Sequence, residues 1–238
     1  MIKKPVIFFL SKSGAGKDTQ AELLIQKFKY DYINSGDLLR AVSDARTIRK
    51  FSKESAERYE AEEIGSIINS GKFVPTLTIM WQWRRRILEL VMHNKKCTGI
   101  VLVGSPRKIG EALALHDFFE TWPDAEEHFC IIPIYLKVSD KEVRLRLFAR
   151  RQCVKCKKII FLKNAPTKNC ASCGGKLIRR KDDNQRGIAS RLKEYREFVV
   201  PVLKYFQKHK ILIEVNGEQS VEQVHREVVR KLHLQKQE

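Results

Sequence analysis

Two pairs of cysteines carry the most specific chemistry in this chain. Cys153-x2-Cys156 and Cys170-x2-Cys173 are separated by 13 residues, and each pair can place two thiolates on one turn. Four sulfurs at that spacing make a closed tetrahedral site with no open position for a catalytic water, so the ion they hold is structural. Zinc is the first candidate, with iron the alternative that also accepts four thiolates. A second segment, Ser11-Lys12-Ser13-Gly14-Ala15-Gly16-Lys17-Asp18-Thr19-Gln20, has the glycines and lysine of a phosphate loop. In such a loop the backbone N–H groups of Gly14, Ala15 and Gly16 and the positive end of the following helix surround phosphates, and Lys17 adds a mobile charge. Against the pattern G-x-x-x-x-G-K-[ST], Ser11 stands at the first glycine and Asp18 at the hydroxyl residue.

These residues need elements to hold them. Val6 to Leu10 is a short apolar run that reads as a buried strand entering the loop, and Ala21, Leu24, Ile25 and Phe28 recur at helical spacing after it. Ile100 to Val103, Ile131 to Leu136 and Ile211 to Val215 are further runs of strand length. Between them lie helical patterns at Ala56 to Ile68, Met80 to His93 and Ile188 to Gln207. Strands alternating with helices predict an α/β fold, a parallel sheet covered on both faces. The stretch from Cys153 to Lys181, with its cysteine pairs, lysine-rich turns, Asn164-Ala165-Pro166 and Gly174-Gly175, reads as an inserted subdomain.

The chain has 238 residues, and 46 Lys+Arg against 28 Asp+Glu give a net charge of +18. That balance favours anionic partners, although much of it is ordinary solvated surface. No run approaches the roughly 18 apolar residues of a membrane span, and the start is too short for a signal peptide. A cytoplasmic, reducing setting is expected, where cysteines bind metal rather than form disulfides. Cys97 and Cys130 read as small buried side chains.

The loop resembles the adenylate kinase form G-x-P-G-x-G-K-G-T-Q, with Thr19 and Gln20 in register and Ser11, Ser13 and Asp18 departing from it. The resemblance continues through Tyr32-Ile33-Asn34-Ser35-Gly36-Asp37-Leu38-Leu39-Arg40, Gly71-Lys72-Phe73-Val74-Pro75 and Gly104-Ser105-Pro106-Arg107. It ends in the lid flanks, where Arg146 and Arg150, Arg180-Lys181-Asp182-Asp183, and Arg191-Leu192-Lys193-Glu194-Tyr195 match the family's blocks.

The resemblance implies a P-loop NTPase-type sheet with a small helical monophosphate-binding arm and an inserted zinc lid. It divides the chain into a core (1–34, 98–150 and 182–238), an arm (35–75) and a lid (151–181). Lys17, Arg107, Arg150, Arg180 and Arg191 would surround the transferring phosphoryl. ATP would lie on Gly14, Ala15, Gly16, Lys17, Asp18, Thr19, Arg146 and Arg150, with Arg146 stacked on its adenine. Ser35, Gly36, Arg40, Val74, Arg107, Glu111, Arg180 and Arg191 would bind the monophosphate, and Asp182 and Asp183 would pair with arginines as the lid closes.

Val103 stands where the family has an Asp that helps hold the water shell of Mg²⁺, and Asp18 is the candidate substitute carboxylate. Glu111 stands where relatives carry a Gln that pairs with adenine, and an ionised Glu can only accept hydrogen bonds. The implied reaction is ATP + AMP = 2 ADP, with Mg²⁺ accompanying ATP and Zn²⁺ in the lid. Alternatives are another monophosphate, such as GMP, or a degenerate kinase fold that binds nucleotide or RNA. A monomer is expected, with no membrane partner and no nucleic acid.

Overall fold

The computed structural model describes residues 3–70, 72–93, 97–122, 129–156, 158–162, 167–180 and 183–235. Gly71, Asn164, Ala165, Pro166, Lys181 and Asp182 lie outside the described residues. The chain opens with β1 (Lys4–Leu10), α1 (Lys17–Phe28) and β2 (Asp31–Asn34). Helices α2 (Ser35–Val42), α3 (Ala45–Ile48), α4 (Ala56–Asn69) and α5 (Thr76–His93) follow, and the chain returns to the sheet in β3 (Ile100–Val103). Next come α6 (Ile109–Thr121), β4 (Phe129–Lys137) and α7 (Asp140–Ala149), then the short strands β5 (Arg150–Cys153), β6 (Ile159–Phe161) and β7 (Leu177–Ile178). Helices α8 (Gln185–Glu194) and α9 (Val200–Lys208) flank a π-turn over Tyr195–Val199, and β8 (Ile213–Asn216) and α10 (Val221–Gln235) complete the described chain.

Five strands form one parallel sheet in the order β2-β3-β1-β4-β8. Its centre is apolar on both faces, as a parallel sheet covered by helices requires. Val6, Phe8 and Leu10 of β1 point into one core with Trp83, Ile87 and Phe206, while Ile7 and Phe9 point into the other with Leu24, Leu147 and Val228. On α5 the buried set Ile79, Trp83, Ile87 and Leu90 keeps the three-to-four residue spacing of one helix face. Leu39, Ile64 and Val74 join the same core, so the helical arm shares the apolar interior of the sheet.

Two details depart from the sequence expectation. The strand Asp31–Asn34 is additional; its four residues show a mixed burial pattern and carry little periodic signal. The helical pattern Ile188 to Gln207 holds throughout but widens into a π-turn, where the Val200 N–H reaches back to the Tyr195 carbonyl. Pro201 explains the widening, because it has no N–H for the Glu197 carbonyl one turn earlier.

Between α7 and α8 the three short strands pair antiparallel in the order β6-β5-β7. This small sheet carries the cysteines. Among the described residues its own apolar cluster is Cys153, Cys170 and Leu177, with Ile160 and Cys173 against it, too little to hold an independent fold without a staple.

Candidate active site

In an open parallel sheet, ligands bind beyond the carboxyl ends of the strands. The loop 11–16 leaves β1 there, between the ends of β3 and β4, and a cavity of about 620 Å³ opens above it. The loop is shaped by close packing. Gly14 has a φ of 85°, and a Cβ on it would lie 2.8 Å from Leu147 of α7. Lys12 ties the loop to its surroundings, donating to the Val138 carbonyl at 2.8 Å and pairing with Asp140 at 2.6 Å. Lys12 and the Arg196 pair at 2.6 Å hold the Asp140 carboxyl below its usual range.

Gly14, Gly16, Lys17, Asp18 and Thr19 line the cavity, as do Gly36, Arg40, Arg107, Arg150, Arg180 and Arg191. They come from six parts of the fold, yet their charges meet. Burial holds the Lys17 ammonium below the ordinary lysine value; Asp18 pulls it back up, and Arg107, Arg150 and Arg191 lower it further. Arg107, Arg150 and Arg191, from three further segments, therefore lie near Lys17 on the wall of one cavity, a concentration of positive charge suited to an anion.

Asp183 organises two of these arginines. It is fully buried, and its carboxylate takes a bidentate pair from Arg150 at 2.8 and 2.5 Å and a third bond from Arg191 at 2.8 Å. Arg179 donates to its backbone carbonyl. Arg150 opens β5 directly after α7 and Arg191 sits on α8, so a single carboxylate ties together the two sides of the cysteine-bearing insert. Arg40 is set on its helix by a 2.6 Å pair with Asp37.

Five predicted residues sit behind the cavity wall. Ser35 is buried and accepts from the Trp83 indole N–H at 3.1 Å, and Asn34 caps α2 by accepting from the Gly36 and Asp37 N–H groups. Glu111 turns back to the start of its own helix, where it accepts from the Arg107 N–H at 2.7 Å, and burial pushes its carboxyl up. Arg146 braces the loop, donating to the Ala15 carbonyl at 3.2 Å while paired with Glu142 at 2.7 Å. Ala15 is buried beneath that contact. The Val74 carbonyl accepts from Lys108 at 3.2 Å.

The cavity also has an aromatic wall that the motifs did not assign. Phe73 and Phe198 meet edge to face with centroids 5.8 Å apart, and Arg107 lies over Phe73 at 5.3 Å. Phe161 and Ile159 of the small sheet face the same space. Phe73 belongs to the segment Gly71–Pro75, and Phe198 follows Tyr195 by one helical turn; that spacing is the signal the sequence holds for them.

The four cysteine sulfurs lie within 4.8 Å of one another, with Cys153 and Cys173 3.4 Å apart and Cys156 and Cys170 3.8 Å apart. A tetrahedron of sulfurs around zinc has edges of about 3.8 Å, so the donor set fits a four-thiolate metal. The N–H of Cys156, followed by other local hydrogen bonds, draws the Cys153 thiol down to about 6. Cys173 keeps its proton: the Gly175 N–H favours its thiolate, but the neighbouring Cys156 and Cys153 sulfurs push it up to about 12. A dication would displace that last proton. Gly175 leaves the room, since a Cβ there would fall 2.8 Å from the Cys153 sulfur.

Comparison with known proteins agrees with the geometry. The family model for adenylate kinase matches residues 9–211. Proteins named adenylate kinase from Thermosipho africanus and Thermodesulfovibrio yellowstonii are each 31% identical, over 93% of this chain and 96% of the first, and over 92% and 94% for the second. The Fervidobacterium nodosum adenylate kinase is 29% identical over 92% of this chain and 93% of its own length. With loop, converging arginines and four-cysteine sheet on one frame, the chain belongs to the adenylate kinase family and is a phosphotransferase of the nucleoside-monophosphate kinase type.

Proposed function

We propose that the protein moves a phosphoryl group reversibly between ATP and AMP, giving two ADP. The observation that supports this reading is the gathering of Lys17, Arg107, Arg150 and Arg191 on the wall of one cavity, close enough for the three arginines to lower the Lys17 pKa. Phosphoryl transfer asks little covalent chemistry of a protein; it needs in-line alignment and positive charge around the equatorial oxygens. The acceptor is itself a phosphate oxygen, so no general base is required.

ATP lies with its phosphates on the loop, against Lys17. Arg40 and Arg107 take the acceptor phosphate, and Arg150, Arg180 and Arg191 approach the transferring group from the lid side. Guanidinium groups suit this work because each can donate two parallel bonds to one phosphate. Asp183 keeps Arg150 and Arg191 in register. Phe73 and Phe198 offer faces for a base, and Phe161 and Ile159 of the lid help exclude water that would otherwise hydrolyse ATP.

The division into core, arm and lid follows this assignment. The cysteines would hold zinc, whose contribution is to fix the lid. For Mg²⁺ the cavity offers the hard oxygen donors Asp18 and Thr19; when bound with ATP, the ion neutralises charge between the phosphates.

A coupled assay of ADP formation with AMP, GMP, CMP and UMP tests the reading. AMP is expected to be the preferred acceptor, and Lys17→Met is expected to lower turnover by at least about a hundredfold while circular dichroism and bound metal stay unchanged. Near-normal turnover in Lys17→Met would refute the assignment. A preference for GMP would instead favour the reading in which Glu111 accepts N–H donors of the base.

A further inference from the structure

The arginines of the cavity are held in two different ways. Arg150 and Arg191 are locked by the Asp183 carboxylate, and Arg40 pairs with Asp37. Arg107 lies in the loop between β3 and α6, where its backbone N–H donates to the buried Glu111 carboxylate at 2.7 Å. Its guanidinium instead lies over the Phe73 ring, 5.3 Å from the centroid.

Phe73 is itself well fixed. It is half-buried in the segment between α4 and α5, and the Phe198 ring meets it edge to face with centroids 5.8 Å apart. The Lys108 ammonium lies 5.6 Å from the Phe73 centroid and also donates to the Val74 carbonyl at 3.2 Å. Two consecutive residues at the end of the arm are thus gripped by two consecutive residues of the β3–α6 loop. The kind of contact matters for chemistry. An ion pair consumes N–H donors, as Asp183 takes two from Arg150. A ring engages the face of a guanidinium and leaves its donors, all in the guanidinium plane, free for a phosphate.

We propose that Phe73 is a positioning residue for Arg107. Its ring sets the guanidinium toward the acceptor phosphate without occupying the donors, and does so only while the end of the arm is docked on the β3–α6 loop. The proposal rests on the phosphoryl-transfer reading above. A base stacked on Phe73 would be a separate use of the same ring, and the two uses differ in whether they act through Arg107.

A double-mutant cycle on the whole protein separates them, read as kcat/KM for AMP and KM for ATP in the coupled assay. AMP-dependent ADP formation by the unaltered protein is measured first; its absence would overturn the kinase reading, and this proposal with it. Phe73→Leu keeps the apolar bulk and removes the aromatic face. It is expected to lower kcat/KM for AMP about fivefold, chiefly through KM, with KM for ATP unchanged. Phe73→Tyr keeps the face and is expected to restore the value of the unaltered protein, while circular dichroism shows that each variant is folded. In an Arg107→Ala background, itself impaired with AMP, Phe73→Leu is expected to add no further loss. A full fivefold loss in that background would show that Phe73 acts on the base or on arm packing, and would overturn the proposal with the kinase reading intact. An unchanged kcat/KM for AMP in Phe73→Leu alone would overturn it too.

Discussion

A fully buried carboxylate between two guanidiniums, as at Asp183, is stable only as a set, because removal of one member leaves the others desolvated and unpaired. Asp183→Asn keeps the shape but drops the charge that balances Arg150 and Arg191. It is expected to cost about 3 kcal/mol, seen as a melting temperature lower by about 10 °C, and to reduce turnover because two cavity-lining arginines lose their alignment. Lys17 gives a second prediction at this scale. Its pKa is lowered by burial and by three arginines, so in the free protein it loses its proton below the ordinary lysine value. Bound phosphate stabilises the charged form and raises the pKa again. ATP binding at alkaline pH should then take up a proton, with affinity declining as pH rises further, both measurable by calorimetry in two buffers of different ionisation enthalpy. At this scale the sequence was informative where a residue belongs to a contiguous motif. It could not pair Phe73 with Phe198, which come from distant segments and meet only after folding.

The elements were legible wherever a long apolar pattern exists and illegible where a local event decides the outcome. Strands β1, β3 and β4 are nearly continuous apolar runs, and no sequence argument was needed beyond that. The widening between α8 and α9 depends on one missing N–H at Pro201, and the short β2 on pairing with β3. The small lid sheet illustrates how little apolar burial one element can survive on. With Cys153, Cys170 and Leu177 as its buried apolar residues, its order should depend on metal. Removal of metal by a chelator is expected to expose residues between 153 and 178 to protease while the five-stranded sheet stays folded, as read by limited proteolysis and far-ultraviolet circular dichroism. Gly175→Ala is expected to mimic this partly, since its Cβ would meet the Cys153 sulfur at 2.8 Å; competition with a chromophoric chelator would report the weaker metal site.

For the molecule as a whole, the net charge of +18 acts at longer range than the cavity. Exposed lysines and arginines attract ATP from solution, and salt screens them beyond about 10 Å at 0.1 M. The converging cations inside the cavity are screened much less. Raising ionic strength from about 0.05 to 0.5 M is therefore expected to increase the KM for ATP several-fold while kcat changes little, as steady-state kinetics would show. The class of fold was legible from alternating strands and helices. The sharing of one apolar core by the sheet and by Leu39, Ile64 and Val74 of the arm was not, because it depends on how α2, α4 and α5 cross. The root of the lid has a different implication. Gln152 and Ile178 are partners across an antiparallel pair, so the inserted segment leaves and re-enters at points about 5 Å apart. Just below them Asp183 fastens Arg150, at the exit, to Arg191 beyond the return. The insert is thus a cassette on a closed frame: segments of other lengths or chemistries can be spliced at that point without rerouting the main chain, so lids of different kinds could have been exchanged during descent while the site beneath them stayed in place.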